Sequence, residues 1–416
     1  MTNAALDDFV AAAKAVTIGE CLPLLHLPAP KGGRGEYMGP CPQCGGRDRF
    51  SFNTIKNVWN CRGCAVGGHS ALGLAGHVLG LNLSSQEGYL AACSAVLGRP
   101  IPGQTETETE EQRKAREQRA AALAKKAQED DEKRQKLAEK FRMIERRKAA
   151  EKWRRGYSPN NPTLRGYFED RIGGFPKNTF LGLLERETYY DAGEPIYTGA
   201  AMVAPFVEET GGVIGCHLTW LDQNNPPKYR PNIVDKNGDK LPTKKMRGSK
   251  KGGLIPLVGF IENQGRILPA PDRHRMVVAE GIENVAAVCL AELNRQDTIY
   301  AAAGDLGNLA GPADPKSRFI HPAKTVEDKN GHRRPVYVAG PVPLFRNGQN
   351  DSIFVPAHIT ELVFIADSDS EQIMTAAAMA RAEARFKKAG RKIIVTWPPR
   401  GLDVADMMQQ GQMNNG

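Results

Sequence analysis

Short unbroken apolar runs alternate with helix-like stretches toward the C-terminal end of the chain. Residues 276–279 (MVVA), 298–302 (TIYAA) and 362–365 (LVFI) read as strands buried on both faces of a parallel sheet. The last runs into Asp367-Ser368-Asp369, and residues 276–279 run into Glu280-Gly281-Ile282-Glu283. A helix is expected over 371–389, with Ser370 as its cap and Gly390 as its stop, and residues 391–396 (RKIIVT) resume as a strand. The segment NVAAVCLAELNR is a second helix, with Gly281 supplying the tight turn before it. Ligand sites of open α/β sheets lie beyond the carboxyl ends of such strands. Carboxylates gathered there make an all-oxygen, anionic site suited to Mg2+ or Mn2+.

Upstream, the pattern changes. Residues 200–207 and 213–221 read as antiparallel strands joined by a Gly-bearing turn. They are followed by PPKYRP and TKKMRGSKKGG, whose cations beside glycines read as a loop able to approach a phosphate backbone, or as a solvated one. Lys228, Arg230, Lys244, Lys245 and Arg247 are the candidate phosphate contacts, with Lys250 and Lys251 beside them. Residues 104–155 are rich in Glu, Lys, Arg, Gln and Ala, as expected of a long exposed helix or helical tether, and sustain no heptad seam for a coiled coil. Helical spacing over 7–25 predicts one or two short helices. The insert at 309–360 is rich in Pro, Gly and Asn, carries His321, Lys324, His332, Arg333 and Arg334, and is long for a compact domain. The tail after Met408 is expected to be disordered.

Composition adds a partner class. The net charge is +9, which favours a polyanion. No run of 18 apolar residues spans a membrane, and the first ten residues lack the basic region of a secretory signal. Of eight cysteines, Cys21, Cys93, Cys216 and Cys289 lie alone among apolar neighbours and read as core thiols of a reducing, cytoplasmic compartment. The other four are spaced Cys41-x2-Cys44-x16-Cys61-x2-Cys64, as in a zinc ribbon, where four thiolates close a structural tetrahedron. A redox dithiol would need only one such pair. With four thiols available, neither His69 nor His77 is expected to bind zinc. Between the pairs, RFSF and NVWNC alternate as hairpin strands. Phe50, Phe52 and Trp59 either stack on bases or fill the ribbon core, while Arg47, Arg49, Lys56 and Arg62 face phosphates or solvent.

Two segments resemble known families. MVVAEGIENVAAV, AAAGDLGNLAG and VFIADSDSE, in that order, resemble the Toprim domain of bacterial-type DNA primases and topoisomerases. The resemblance implies metal binding by Glu280, Asp367 and Asp369, and Glu283 falls where primases usually carry an Asp. GLDVAD resembles the primase Asp-Pro-Asp segment, with Ala405 in place of its second Asp, and carries over Asp403. EYMGPCPQCGGRDRFSF with the second cysteine pair resembles the zinc-binding domain of primases of phages and mobile elements. Together they imply a multidomain α/β (α+β) chain. Residues 1–103 form a zinc-ribbon DNA-binding domain, 104–155 a charged helical linker, 156–270 a basic subdomain and 271–416 a Toprim catalytic domain with a central parallel sheet.

The implied activity is a primase, making short RNA primers on single-stranded DNA from ribonucleoside triphosphates. Glu280, Asp367 and Asp369 would be catalytic, one structural Zn2+ would sit on the cysteines, and two Mg2+ or Mn2+ ions on Glu280, Glu283, Asp367, Asp369 and Asp403. No Gly-x4-Gly-Lys-Ser/Thr stretch occurs in the sequence, so a separate replicative helicase is an expected partner. A Toprim-type nuclease and a non-enzymatic zinc-ribbon replication protein are the alternatives.

Overall fold

The helical spacing near the start of the chain is realised as α1 (Ala4–Ala15) and α2 (Ile18–Cys21) in the computed structural model. The structure describes residues 4–30, 35–102, 110–158, 161–327, 333–346, 351–368 and 371–415. It divides into two compact units, residues 1–141 with 323–335, and residues 142–322 with 336–416. In the first unit, Thr17 and Glu20 form a capping box that starts α2. Strands β1 (Glu36–Cys41), β2 (Gly45–Asn53), β3 (Val58–Cys61) and β4 (Val66–Gly68) make an antiparallel meander. Helices α3 (Ala71–Leu79) and α4 (Gln86–Leu97) follow, each closed by a left-handed glycine, Gly80 and Gly98. Phe50, Phe52 and Trp59 are all buried with Phe9, Ile18 and Leu74. The core reading of the three aromatics therefore holds and the base-stacking one does not: a module this small needs every large ring it has. Tyr37 stacks on Phe52 at 4.8 Å between ring centroids.

Helix α5 (Glu110–Gly156) occupies the charged stretch. Its last turns are not solvated tether. Within the second unit Ala149 and Trp153 are buried, and the Trp153 indole donates to Phe180 O at 2.8 Å. After α6 (Pro162–Ile172), the strands β5 (Gly182–Asp191), β6 (Glu194–Val207), β7 (Val213–Trp220) and β8 (Lys244–Gly248) form an antiparallel sheet in that order.

The second sheet is assembled from β9 (Ile255–Val258), β12 (Arg275–Ala279), β13 (Thr298–Ala302), β16 (Glu361–Ile365) and β17 (Lys392–Thr396). Between these lie the hairpin β10 (Phe260–Asn263) and β11 (Arg266–Pro269), helices α7 (Ile282–Ala291) and α8 (Leu306–Ala310), and the paired strands β14 (Phe319–Glu327) and β15 (Arg333–Val338). Helix α9 (Gln372–Phe386) links β16 to β17, and α10 (Val404–Asn415) ends the described chain. The strand order is β17-β16-β12-β13-β9, all parallel except β9. Period-two alternation divides the apolar runs between two cores. Met276, Val278, Leu362 and Phe364 pack on one face with Ala378 and Ala382 of α9. Val277, Ala279, Val363 and Ile365 pack on the other with Val285 and Cys289 of α7.

Ser370 and His332 lie outside the described residues. Three details differ from expectation. Glu371 is the N-cap of α9. Gly281 has φ −94°, an extended conformation open to any residue, so the turn into α7 does not depend on glycine. Residues beyond Met408 continue α10 to Asn415, because the start of that helix is pinned: Ala405 is buried, and Arg171 donates to Asp406 and Gln409 at 2.5 and 3.1 Å. The four isolated cysteines are buried free thiols, and burial pushes Cys21 up to about 11 and Cys216 and Cys289 up to about 12. Among the described residues, no helix is long and apolar enough to cross a membrane.

Trp153→Ala should lower unfolding free energy by roughly 3–5 kcal/mol, because a fully packed ring and its hydrogen bond are both lost. Lys136→Ala, on the exposed part of α5, should change it by no more than about 0.5 kcal/mol. Urea titrations of the two variants check whether the end of α5 is core or tether.

Candidate functional site

Two sites emerge, one in each unit. In the first, Cys41 and Cys61 end β1 and β3, and Cys44 and Cys64 lie in the turns beyond those strands. All four Sγ atoms lie within 4.8 Å of one another, with Cys44–Cys61 at 3.6 Å and Cys41–Cys64 at 4.0 Å. A tetrahedron with zinc–sulfur bonds of about 2.3 Å requires sulfurs about 3.8 Å apart, so the donor set and its spacing fit Zn2+. Four protein ligands leave no open position, which marks the site as structural. His77 Nε2 is 3.2 Å from Cys41 Sγ, and its ring stacks on Trp59. It is a neighbour of the cluster, placed to hydrogen-bond a ligand sulfur.

In the second unit, parallel pairing sets Ala279 opposite Ile365. The chain therefore leaves β12 at Glu280 and β16 at Ala366-Asp367 on adjacent strands, about 4.8 Å apart. Both carboxylates line one cavity of about 330 Å³. Asp403, just before α10, lines it too, and Glu283, Lys228, Arg230, Lys244, Arg171 and His217 complete the charged and titratable wall. Seven of the residues expected from sequence thus share one cavity. Asp369 lies outside the described residues. Among the described residues, the four cysteines are the one group whose ligand atoms already gather as tightly as a bound ion requires. The carboxylates of the cavity supply the hard oxygen donors that fit Mg2+ or Mn2+.

Asp367 is held by its surroundings. The Asn284 side chain donates to Asp367 Oδ1 at 2.6 Å and accepts from Ala405 N at 3.1 Å, so one buried amide ties the strand end to α10. Ser368 Oγ donates to Pro398 O at 2.9 Å. Asp403 caps α10 by accepting from Asp406 N at 2.6 Å and lies 3.7 Å from Arg171.

Glu283 has a different environment. Adjacent helical residues point about 100° apart, so α7 turns Asn284 toward Asp367 and Glu283 away from it. Glu283 forms an ion pair with Arg230, lies 3.6 Å from Lys244 and accepts from Tyr167 Oη at 3.0 Å. Burial alone would raise its pKa, but Lys244 and Arg230 hold it well below the usual carboxylate range. Its oxygens are engaged by cations, which makes it their anchor rather than a metal donor. Burial and Glu283 push the Tyr167 hydroxyl up, keeping it a donor. Burial, reinforced by Lys244, pushes His217 down to about 4, so it is neutral at pH 7.

The cation-rich segment is only partly a loop: Lys228, Arg230, Lys250 and Lys251 lie in turns or irregular stretches, whereas Lys244–Gly248 is strand. It contains β8, whose alternation separates the lysines. Thr219 pairs with Lys244 and His217 with Met246 on the cavity side, whereas Leu218 pairs with Lys245 and Cys216 with Arg247 on the other. Lys245 accordingly donates to Tyr190 O and covers the Tyr189 ring, away from the cavity, and Arg247 shares its face. Lys250 and Lys251 are paired with Asp305 and Asp351. Sequence reading missed Tyr167, Arg171, His217 and Asn284. Helical spacing from Glu280 could have flagged Asn284; the other three come from distant segments, and no local pattern marks them.

Fold and site define a multidomain α/β protein with an N-terminal four-cysteine metal module and a sheet rimmed by carboxylates and cations. Residues 36–72 match the zinc-binding domain of primase-helicase. No curated protein matches the chain. The primase of Aquifex aeolicus (zinc-binding and RNA polymerase domains) is a similar solved structure, at 12% identity over 98% of this chain and 84% of that one, TM-score 0.29. The primase fragment of the bacteriophage T7 primase-helicase protein aligns at 11% identity over 91% and 96%, TM-score 0.29. A DNA primase domain from Pseudomonas aeruginosa aligns at 14% over 61% and 68%, TM-score 0.28. Superpositions this loose carry no weight as to activity.

Purified protein should carry one zinc per chain by elemental analysis, and Cys61→Ser should lose most of it. Glu283→Gln should destabilise the second unit by roughly 3–5 kcal/mol at pH 7, since Arg230 would keep a buried charge without its partner. Because the folded pKa of Glu283 is depressed, its contribution is present above the unfolded value of about 4.3 and fades as pH falls below it. Thermal melts of the variant should therefore show a shallower loss of stability on acidification than wild type.

Proposed function

We propose that this chain is a DNA primase, a nucleotidyltransferase that makes short RNA primers on single-stranded DNA. The observation that carries the reading is the shared cavity: carboxylates from two adjacent parallel strands face Lys228, Arg230 and Lys244 across one space. A hydrolase of neutral substrates needs no such cation wall. A transfer that releases pyrophosphate needs both signs of charge together.

In the proposed reaction the 3′-oxygen of one nucleotide attacks the α-phosphorus of a ribonucleoside triphosphate. A new phosphorus–oxygen bond forms, the bond from the α-phosphorus to the α–β bridging oxygen breaks, pyrophosphate leaves with that electron pair, and the hydroxyl proton would pass to Glu280 or to water. Glu280, Asp367 and Asp403 would hold Mg2+ or Mn2+, together with Asp369. Such ions, when bound, lower the pKa of the attacking hydroxyl and neutralise charge on the leaving group. Lys228 and Lys244 would bind the triphosphate, and Arg230, fixed by Glu283 and by its position over the Tyr167 ring, would orient it. Neutral His217 can donate to or accept from a ligand without adding charge. Asn284 holds the Asp367 carboxylate in one orientation. The zinc ribbon would hold the template, and a separately supplied helicase would deliver it.

Ribonucleotide incorporation on single-stranded DNA tests the proposal. Synthesis that requires divalent metal is expected, and Asp367→Ala should reduce it about a hundredfold or more while DNA binding stays near wild type. Cleavage of the template would point to a nuclease, and binding with neither reaction to a non-enzymatic DNA protein.

A further inference from the structure

The long insert before β16 is fastened to α9, the helix that begins directly beyond the acidic strand end. Arg381 donates to Gly311 O at 2.9 Å and to Gly340 O at 2.6 Å, and Arg385 donates to Ala310 O, Pro312 O and Leu344 O at 2.8–2.9 Å. Two guanidinium forks from one helix thus satisfy backbone carbonyls before β14 and after β15, on both sides of the paired strands of the insert. Carbonyl acceptors fixed this way make the insert a firm attachment for whatever else it carries.

What it carries is His321. This residue of β14 is only 5% exposed, and its Nε2 is 2.9 Å from Glu371 Oε1. The other oxygen, Oε2, accepts from Met374 N at 2.7 Å and caps α9. One carboxylate therefore binds the insert and the first turn of α9 at once. The opposite side of the strand end is fixed by Asn284 on Asp367 and by Ser368 on Pro398 O. Without His321, Glu371 could still cap the helix in several rotamers, and the first turn of α9 would lose its tie to the insert.

We infer that His321 is a positioning residue: through Glu371 it sets the start of α9 and thereby the placement of Asp367 for a divalent cation. The inference rests on the metal role proposed above for Asp367. It gives the insert a task, bracing the metal-binding end of β16 from outside the sheet. His321 need not touch substrate or ion.

The test uses the full chain and Mn2+ as the probe, with three readouts: half-saturating Mn2+ for primer synthesis, KM for the nucleotide, and Mn2+ binding without substrate by electron paramagnetic resonance. His321→Ala should raise the half-saturating Mn2+ concentration about tenfold and weaken Mn2+ binding in step, with nucleotide KM within about twofold of wild type. His321→Gln, whose amide can still donate to Glu371, should restore most of the difference. If His321→Ala fails to fold, Glu371→Asp takes its place, since the shorter carboxylate can still cap α9 but falls short of His321; it should give the same shift. Unchanged Mn2+ dependence in the folded variant overturns the inference. So does a loss that raises nucleotide KM equally and is not restored by glutamine, which is what a merely structural role would give. Asp367→Ala separates the two levels: if it keeps Mn2+ binding and activity, the metal reading itself fails. If it loses both while His321→Ala behaves as wild type, only the brace fails.

Discussion

The parallel register between β12 and β16 is the constraint on which the second unit depends. It sets Ala279 beside Ile365, and that pairing fixes which residues emerge at the sheet's carboxyl edge. A slip of one residue would turn every apolar side chain to the wrong core. The register is secured at the other end by a buried charge. Arg275 donates to both oxygens of Glu292 at 2.7 Å and to Glu361 at 2.9 Å, tying the start of β12 to the end of α7 and the start of β16. With one end pinned and both faces packed, Glu280 and Asp367 emerge side by side. The site is thus a consequence of sheet packing, with the polar network of Asn284, Ser368 and Asp403 refining it.

The first unit depends on different chemistry. Its sheet has short strands, and a zinc ion held by the four thiolates would cross-link β1 to β3 beside the apolar core. Metal binding in such modules contributes on the order of 10 kcal/mol to folding. That Phe50, Phe52 and Trp59 are buried is a result of the module's small size.

Much of this is legible in the chain's residue pattern. Cysteine spacing signals the metal module because two Cys-x-x-Cys turns have few other uses. Apolar runs ending in acids signal β12 and β16, since such runs have one natural home. The pairing of alternating strands β6 and β7 is equally legible. What escapes are orientations. TKKMRGSKKGG looks like a loop by composition, and only its pairing with β7 shows that Lys244 and Lys245 point to opposite sides. Glu283 and Asn284 are neighbours in sequence, and helix phase, not residue type, decides which one meets Asp367. Arg171 and Tyr167 sit more than a hundred residues before the groups they touch, beyond the reach of any local pattern. The insert is opaque because its attachment uses backbone carbonyls, which every residue has.

The cavity contains its own counter-ion. Glu283 lies against two of the cations that a nucleotide's phosphates would meet, so the resting wall is closer to neutral than its count of lysines and arginines implies. A polyanion entering the cavity would compete with Glu283 for Lys244 instead of meeting an uncompensated positive field. Fewer counterions from bulk salt are exchanged in that event than three bare cations would release, and the ionic-strength dependence of occupancy is correspondingly shallow. Under the proposed function, discrimination would come from shape and from how well a ligand's oxygens match the Lys244 position now facing Glu283.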